Sequence, residues 1–305
     1  MGTKGRRLRA CGVGIALAAA GFSLTACDEW TFGPFRIEAS EVEHRALPAE
    51  GSVRLVVESS NGRVTVRGES GLQATSVTAT KRSRGQTLAD AERRLDQLAY
   101  TVTSDGVSIL LRYRQADQPG DVGRYSGVDF EVVVPQQAEV EVRTSNGSIE
   151  VNSIMGPVHL VTTNGAIHLQ QSVGTAYLAT SNGRVSVADG VGDLTVRTSN
   201  GEIRLERVRG RVDGETSNGW IHYAGQPEGS ALNRLRTSNG GVVVRVPRAA
   251  AIAFRASVGN GSISTELFLV GDTEGRDWNA VLNPPAATEM DLRTSNGTMR
   301  IEAAD

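Results

Sequence analysis

Apolar and polar residues alternate along most of the chain beyond residue 50, and the alternation restarts at each Asn-Gly pair. Asn-Gly occurs at Asn61, Asn146, Asn164, Asn182, Asn200, Asn218, Asn239, Asn260 and Asn296. From Asn146 to Asn218 the interval is 18 residues each time; the next two are 21 and the last is 36, twice 18. Three and five residues after each Asn the side chains are mostly apolar, as in Ile149/Val151, Ile167/Leu169, Val185/Val187 and Ile203/Leu205. Four and six before it they are mostly apolar too, as in Val142/Val140, Leu160/Val158 and Val196/Leu194. Alternation of period 2 marks strands with one buried face. Ten residues after the Asn comes a second glycine, at Gly71, Gly156, Gly174, Gly192 and Gly210. Each period therefore reads strand, Asn-Gly corner, strand, Gly corner, with residues at both corners that tolerate positive φ.

Two architectures fit that order. In an antiparallel meander, Asn-Gly is a hairpin turn. In a β-solenoid, each period is one coil stacked on the last at ~4.8 Å, and a repeat of about 20 residues points to the solenoid. A meander gives no reason to place the same residue at every second turn. A solenoid does, because equivalent positions stack. Thr144, Thr162, Thr180, Thr198 and Thr216 are expected to form one column. Asn146, Asn164, Asn182, Asn200 and Asn218 are expected to form a second, with amides hydrogen-bonded along it. That role is structural, so these Asn are not read as a binding site. The expected fold class is all-β: a single-chain β-solenoid, or β-helix, with ~18-residue coils.

The pattern thins at both ends. Asn61 heads an isolated copy that could form a separate small sheet; its strand phases match the later ones, so one continuous solenoid is expected. A helix is expected near 87–99, with Thr87 as N-cap and Ala91, Leu95 and Leu98 as its apolar stripe. It would cover the open end of the stack, as terminal caps do in repeat proteins. Residues 266–289 carry Gly275, Pro284 and Pro285 and read as a loop insertion or partial coil. The expected division is 1–27 leader, 28–40 linker, 41–140 N-terminal solenoid and cap, and 141–305 tandem solenoid.

The run Val56-Val57-Glu58-Ser59-Ser60-Asn61-Gly62-Arg63-Val64-Thr65-Val66, then Thr78-Ala79-Thr80-Lys81-Arg82, Val132 to Pro135 and the tandem Thr-Ser-Asn-Gly copies resemble the bacterial adhesin-like family of unknown function of the DUF4097 type. The resemblance covers about residues 36–305. It implies a β-solenoid wound right-handed. It brings no catalytic residues, and its "adhesin" is itself an inference.

The N-terminus adds a location. Lys4, Arg6, Arg7 and Arg9 precede an apolar run from Gly12 to Leu24, and Leu24-Thr25-Ala26-Cys27 resembles the bacterial lipobox. That resemblance implies cleavage before Cys27 and lipid attachment to it; the competing reading is an ordinary signal peptide with a chance Cys. The run is too short for a comfortable membrane span. Asp28 after the Cys implies retention at the inner membrane, on the periplasmic side, under enterobacteria-like sorting. Cys11 falls in the leader, so the folded part has no disulfide and no thiol chemistry. Net charge is -2, which gives no global field for nucleic acid.

Candidate chemistry is sparse. His168 and His222 share a phase but lie three coils, ~14 Å, apart, too far for one metal ion. His159 is in an outward phase, and no metal or cofactor is expected. Asp189, Asp193, Glu206 and Asp213 cluster near the Gly corners in sequence, where paired carboxylates could serve acid/base chemistry on polysaccharide or hold calcium. Arg207, Arg209 and Arg211 beside them favour a neutralised, solvated edge. Arg143, Arg197, Arg236 and Arg293 recur three before their Asn, interspersed with acids. Trp220 is expected to be exposed beside its corner, with Tyr223 inward; Trp220, Arg184 and Arg204 are the candidate contact surface. The expected function is a non-enzymatic, envelope-anchored scaffold, adhesin-like, with the membrane and an envelope protein or glycan as partners. A carbohydrate-binding or polysaccharide-active β-helix is the second reading, and an accessory module in envelope signalling the third.

Overall fold

The computed structural model describes residues 4–9, 37–48, 52–228 and 232–304. Cys27 and Cys11 lie outside them. The described chain forms two 13-stranded sheets, face to face, with one α-helix. It is an all-β solenoid, as the repeat predicts.

Within the tandem region the strands before each Asn build one sheet and the strands after it build the other. Glu139–Asn146, Val158–Asn164, Ala176–Asn182, Leu194–Asn200 and Val212–Asn218 pair in parallel in that order. Ile149–Asn152, Ile167–Val173, Val185–Val191, Ile203–Gly210 and Ile221–Pro227 do the same opposite them. Register is kept from rung to rung apart from one shift between Glu206 and Val208, so Val142, Leu160, Leu178 and Val196 stack on one inner face, all buried. Ile149, Ile167, Val185 and Ile203 stack on the other, also buried. Fully burying one such side chain stabilises by ~1.5–3 kcal/mol, so this dry seam is the main source of cohesion.

The Asn-Gly corner is a close-packed joint. Each Asn side chain donates from Nδ2 to Oδ1 of the Asn one rung away, through eight such bonds of 2.8–3.0 Å. Asn61 closes one end by donating to Gln115 Oε1 at 3.2 Å. The glycine beside it has no room for a side chain: a Cβ on Gly183 would lie 2.0 Å from Gly165 O. The corner glycines from Gly147 to Gly219 are thus required by close approach; positive φ occurs at the second corner, at Gly174, Gly192 and Gly210, and at the Asn-Gly corners toward the ends of the stack, at Gly62, Gly240, Gly261 and Gly297. The threonines are buried and stack, yet bond elsewhere than to one another. Thr162, Thr180, Thr198 and Thr216 donate to the carbonyls of Gly147, Gly165, Gly183 and Gly201 at 3.0–3.2 Å.

Both ends depart from sequence order. Arg54–Asn61 lies between Ser108–Tyr113 and Glu139–Asn146, so the Asn61 coil is slotted inside a coil that follows it in the chain. At the other end Thr288–Asn296 lies between Asn233–Asn239 and Ile252–Asn260. Here the outer coil precedes its inner neighbour in sequence, whereas at the first end it follows it. Residues 266–289, expected as a loop insertion or partial coil, include Asp277–Leu282, antiparallel to Ile252–Asn260, and Val270–Asp272 beyond it. Antiparallel strands also finish the opposite end: Thr101–Ser104 on one sheet, Ala74–Gly85 and Ile37–Pro48 on the other, the last flanked by Lys4–Arg9. The helix α1, Leu88–Gln97, is capped by Thr87, whose side chain accepts from Asp90 N. It buries Ala91 and Leu95 against Ala39, over the antiparallel end of one sheet.

Candidate interaction surface

Outward positions two and four after each Asn form parallel columns on the second sheet. Around Asn200 and Asn218 these columns hold Glu202, Arg204, Trp220 and His222. Strand pairing sets Arg204 beside His222, and His222 beside Val243. Trp220 is 43% exposed, and its indole stacks on His222 at 5.9 Å with the rings 15° apart. It lies across the next rung at Gly241, where a Cβ would come 2.3 Å from the ring. Gly241 is therefore the seat of the indole. Val243 faces outward in phase but is buried, which extends the apolar floor.

Glu202 is the hub of the surrounding charges. Arg204 donates to its Oε1 from Nη2 at 2.8 Å, Arg184 Nη2 reaches Oε2 at 2.9 Å, and His222 Nε2 lies 3.8 Å from Oε1. Burial pushes the Glu202 carboxyl up, but the Arg204 hydrogen bond and the charges of Arg184 and Arg204 outweigh it and hold it below the ordinary range. Partial burial holds His222 below its ordinary value, which favours the uncharged ring under Trp220. Beside this group an open cleft of about 410 Å³ is lined by Arg204, Glu206, Arg207, His222, Val243 and Arg245. Arg245 pairs with Glu302 at 2.9 Å, and Arg207 with Asp189 at 2.6 Å. The cleft has Val243 at its floor and a rim of charges held in ion pairs.

Trp220, Arg184 and Arg204 thus come together around Glu202, whose role carries no sequence signal. The four acids read as one cluster are separated. Asp189 pairs with Arg207 on one sheet, whereas Asp213 pairs with Arg197 at 2.9 Å on the other. Asp193 lines a cleft with His159 and Tyr177, whose rings meet edge to face at 4.8 Å. His168 is exposed. The asparagine column runs along the corner, with its amides spent on one another.

A buried ionic group escaped the sequence. Lys81 Nζ sits 2.8 Å from Glu41 and 3.2 Å from Glu43, and Tyr100 donates to Glu43 at 2.9 Å. Burial lowers the Lys81 ammonium, but the two carboxylates outweigh it and hold it above its ordinary value. Among the described residues no three His, Cys, Asp or Glu side chains converge as a metal ion would need, and no helix is long and apolar enough to cross a membrane.

The Toastrack DUF4097 family profile matches residues 53–302. The chain belongs to this family. The Toastrack match spans both intercalated ends as well as the tandem coils. Solved structures with a similar course include three named provisionally as adhesion proteins. One, a cell adhesion protein from Clostridium sporogenes, shows 10% identity and a TM-score of 0.26, covering 86% of this chain and 100% of its own. An adhesin from Bacteroides fragilis shows 10% identity and a TM-score of 0.37, covering 86% and 97%. One from Parabacteroides distasonis shows 8% identity and a TM-score of 0.35, covering 86% and 97%. No curated protein matches the chain.

Proposed function

We propose that this Toastrack protein is a non-enzymatic scaffold of the bacterial envelope, anchored by lipid on Cys27, that makes contacts through its outward faces. The observation that carries the reading is the state of the charges around Trp220. Glu202, Arg184, Arg204, Asp189, Arg207 and Arg245 all have ion-pair partners, so the surface carries no free acid–base pair to drive bond cleavage. What it offers is an exposed indole beside an open cleft rimmed by paired charges, on rungs joined by the asparagine ladder.

The exposed indole favours carbohydrate as one contact class, because an aromatic face can stack on a sugar ring. The test is binding of the purified, lipidated protein to isolated cell envelopes and to a glycan array, beside Trp220→Ala. Binding that drops at least fivefold in the variant supports the reading. Turnover of any polysaccharide by the wild-type protein would overturn it.

A further inference from the structure

At the capped end, four arginines gather on the outer face of the second sheet. Arg82 and Arg84 alternate outward along Ala74–Gly85, Arg63 follows the first Asn-Gly corner, and Arg124 lies on the turn before Ser126–Pro135. Strand pairing sets Arg82 beside Gly127 and Arg84 beside Glu38. Together with Ser148 these arginines line an open cleft of about 520 Å³.

Two carboxylates serve the four cations. Asp129 takes Arg82 and also accepts from the Arg63 backbone at 2.8 Å. Glu38 takes Arg84 at 3.1 Å. Arg63 has no carboxylate partner among the described residues. The Arg124 guanidinium rests 5.6 Å from the centre of the Tyr125 ring, also without a carboxylate among them. Both are exposed. The cleft therefore carries a surplus of about two positive charges. The Trp220 surface, by contrast, is neutralised throughout. A planar guanidinium fork matches the oxygens of a phosphate better than a point charge does.

The position of the chain supplies the occupant. Glu38 lines this cleft, and Ile37 is only the tenth residue after Cys27. Ten residues span at most ~36 Å, about the thickness of one bilayer core, so lipid on Cys27 would keep this end close to the membrane surface. We propose that the Arg63/Arg124 cleft binds the phosphodiester of an anionic glycerophospholipid headgroup and orients the solenoid on its membrane. A lipid as the source of the phosphate rests on the proposed Cys27 anchor; the preference for a phosphate rests on the arginines.

The test uses the full protein purified in a non-ionic detergent. It is titrated calorimetrically with dihexanoyl-phosphatidylglycerol, dihexanoyl-phosphatidylcholine and inorganic phosphate. Saturable binding of the glycerol lipid is expected, at least tenfold tighter than either other probe and weakened by salt. In Arg63→Glu/Arg124→Glu it should fall at least tenfold, with the circular dichroism unchanged because both side chains are exposed and neither has a carboxylate partner among the described residues. Equal binding of inorganic phosphate would overturn the lipid assignment. No binding, or binding unaffected by the double substitution, would overturn the site. Intact mass of the same sample reads lipidation separately: an unmodified Cys27 with anionic-lipid binding retained removes the anchor and leaves the cleft.

Discussion

Asn296 donates from its side-chain amide to Oδ1 of Asn239 at 3.0 Å, across 57 residues of sequence. Asn260, which lies between them in the chain, donates instead to Asn296 at 2.8 Å and sits one rung further out. The last segment of the chain is therefore an inner coil. Deleting residues 288–305 should remove a rung from the middle of the stack and strand the coil at Ile252–Asn260. Hydrogen exchange measured on the truncated protein should show loss of amide protection over 252–260 and 233–239. Retained protection over 252–260 would mean that it stacks directly on Asn239 and that the inner coil is dispensable.

The corner glycines separate steric demand from backbone conformation. A Cβ on Gly183 would meet Gly165 O at 2.0 Å, although the backbone there is not in the left-handed region. Gly71 has φ of 70° but open space around it. Gly183→Ala should force adjacent rungs apart and destabilise by ~3 kcal/mol or more. Gly71→Ala should cost ~1–2 kcal/mol through its dihedral alone. Urea unfolding of the two variants measures the difference.

Asp291 ties stability to acid pH. Its carboxyl is buried between Arg236, at 2.5 Å, and Arg293, at 2.8 Å. Burial pushes it up, but the two hydrogen bonds and charges outweigh burial and hold it below its ordinary 3.8. A carboxylate lowered in the folded state contributes stability above 3.8, and that contribution disappears as pH falls through the lower folded value. The melting temperature should therefore drop below about pH 4. In Asp291→Asn the acid limb should be shallower, with lower stability at neutral pH because Arg236 loses its partner. Thermal melts between pH 2 and 7 provide the check.

The sequence carries the coil and loses the order of coils. Period, strand phase and inner face can all be read from positions such as Ile149, Ile167 and Val185, because tandem copies stack on their neighbours and the apolar phase admits one register. The ends are illegible for the opposite reason. Asn239, Asn260 and Asn296 carry the same Thr/Val-x-Asn-Gly type of signal, and nothing local says which rung each takes. Asp277–Leu282 is hidden because the apolar alternation there is short and flanked by Gly275 and Pro284. Ser153, Gln171, Asp189 and Arg207 all have φ of 52–59° at the same point of successive coils, yet share no residue type, so their backbone bend leaves no pattern. Trp220 can be read as exposed from its phase. Its seat on Gly241 and the hub at Glu202 cannot, because both depend on contacts between rungs.

The repeated asparagine and the exposed indole should have opposite phenotypes, and one paired measurement compares them. Asn182 donates to Asn164 and accepts from Asn200, each at 2.9 Å, in the middle of the ladder. Asn182→Ala should lower unfolding stability by ~1–2 kcal/mol and leave envelope binding per folded molecule unchanged. Trp220→Ala should leave stability within ~0.5 kcal/mol and weaken that binding. Both variants are measured by urea unfolding and by the same envelope-binding assay. Loss of binding in Asn182→Ala at undiminished stability would contradict a structural role for the Ser-Asn-Gly ladder.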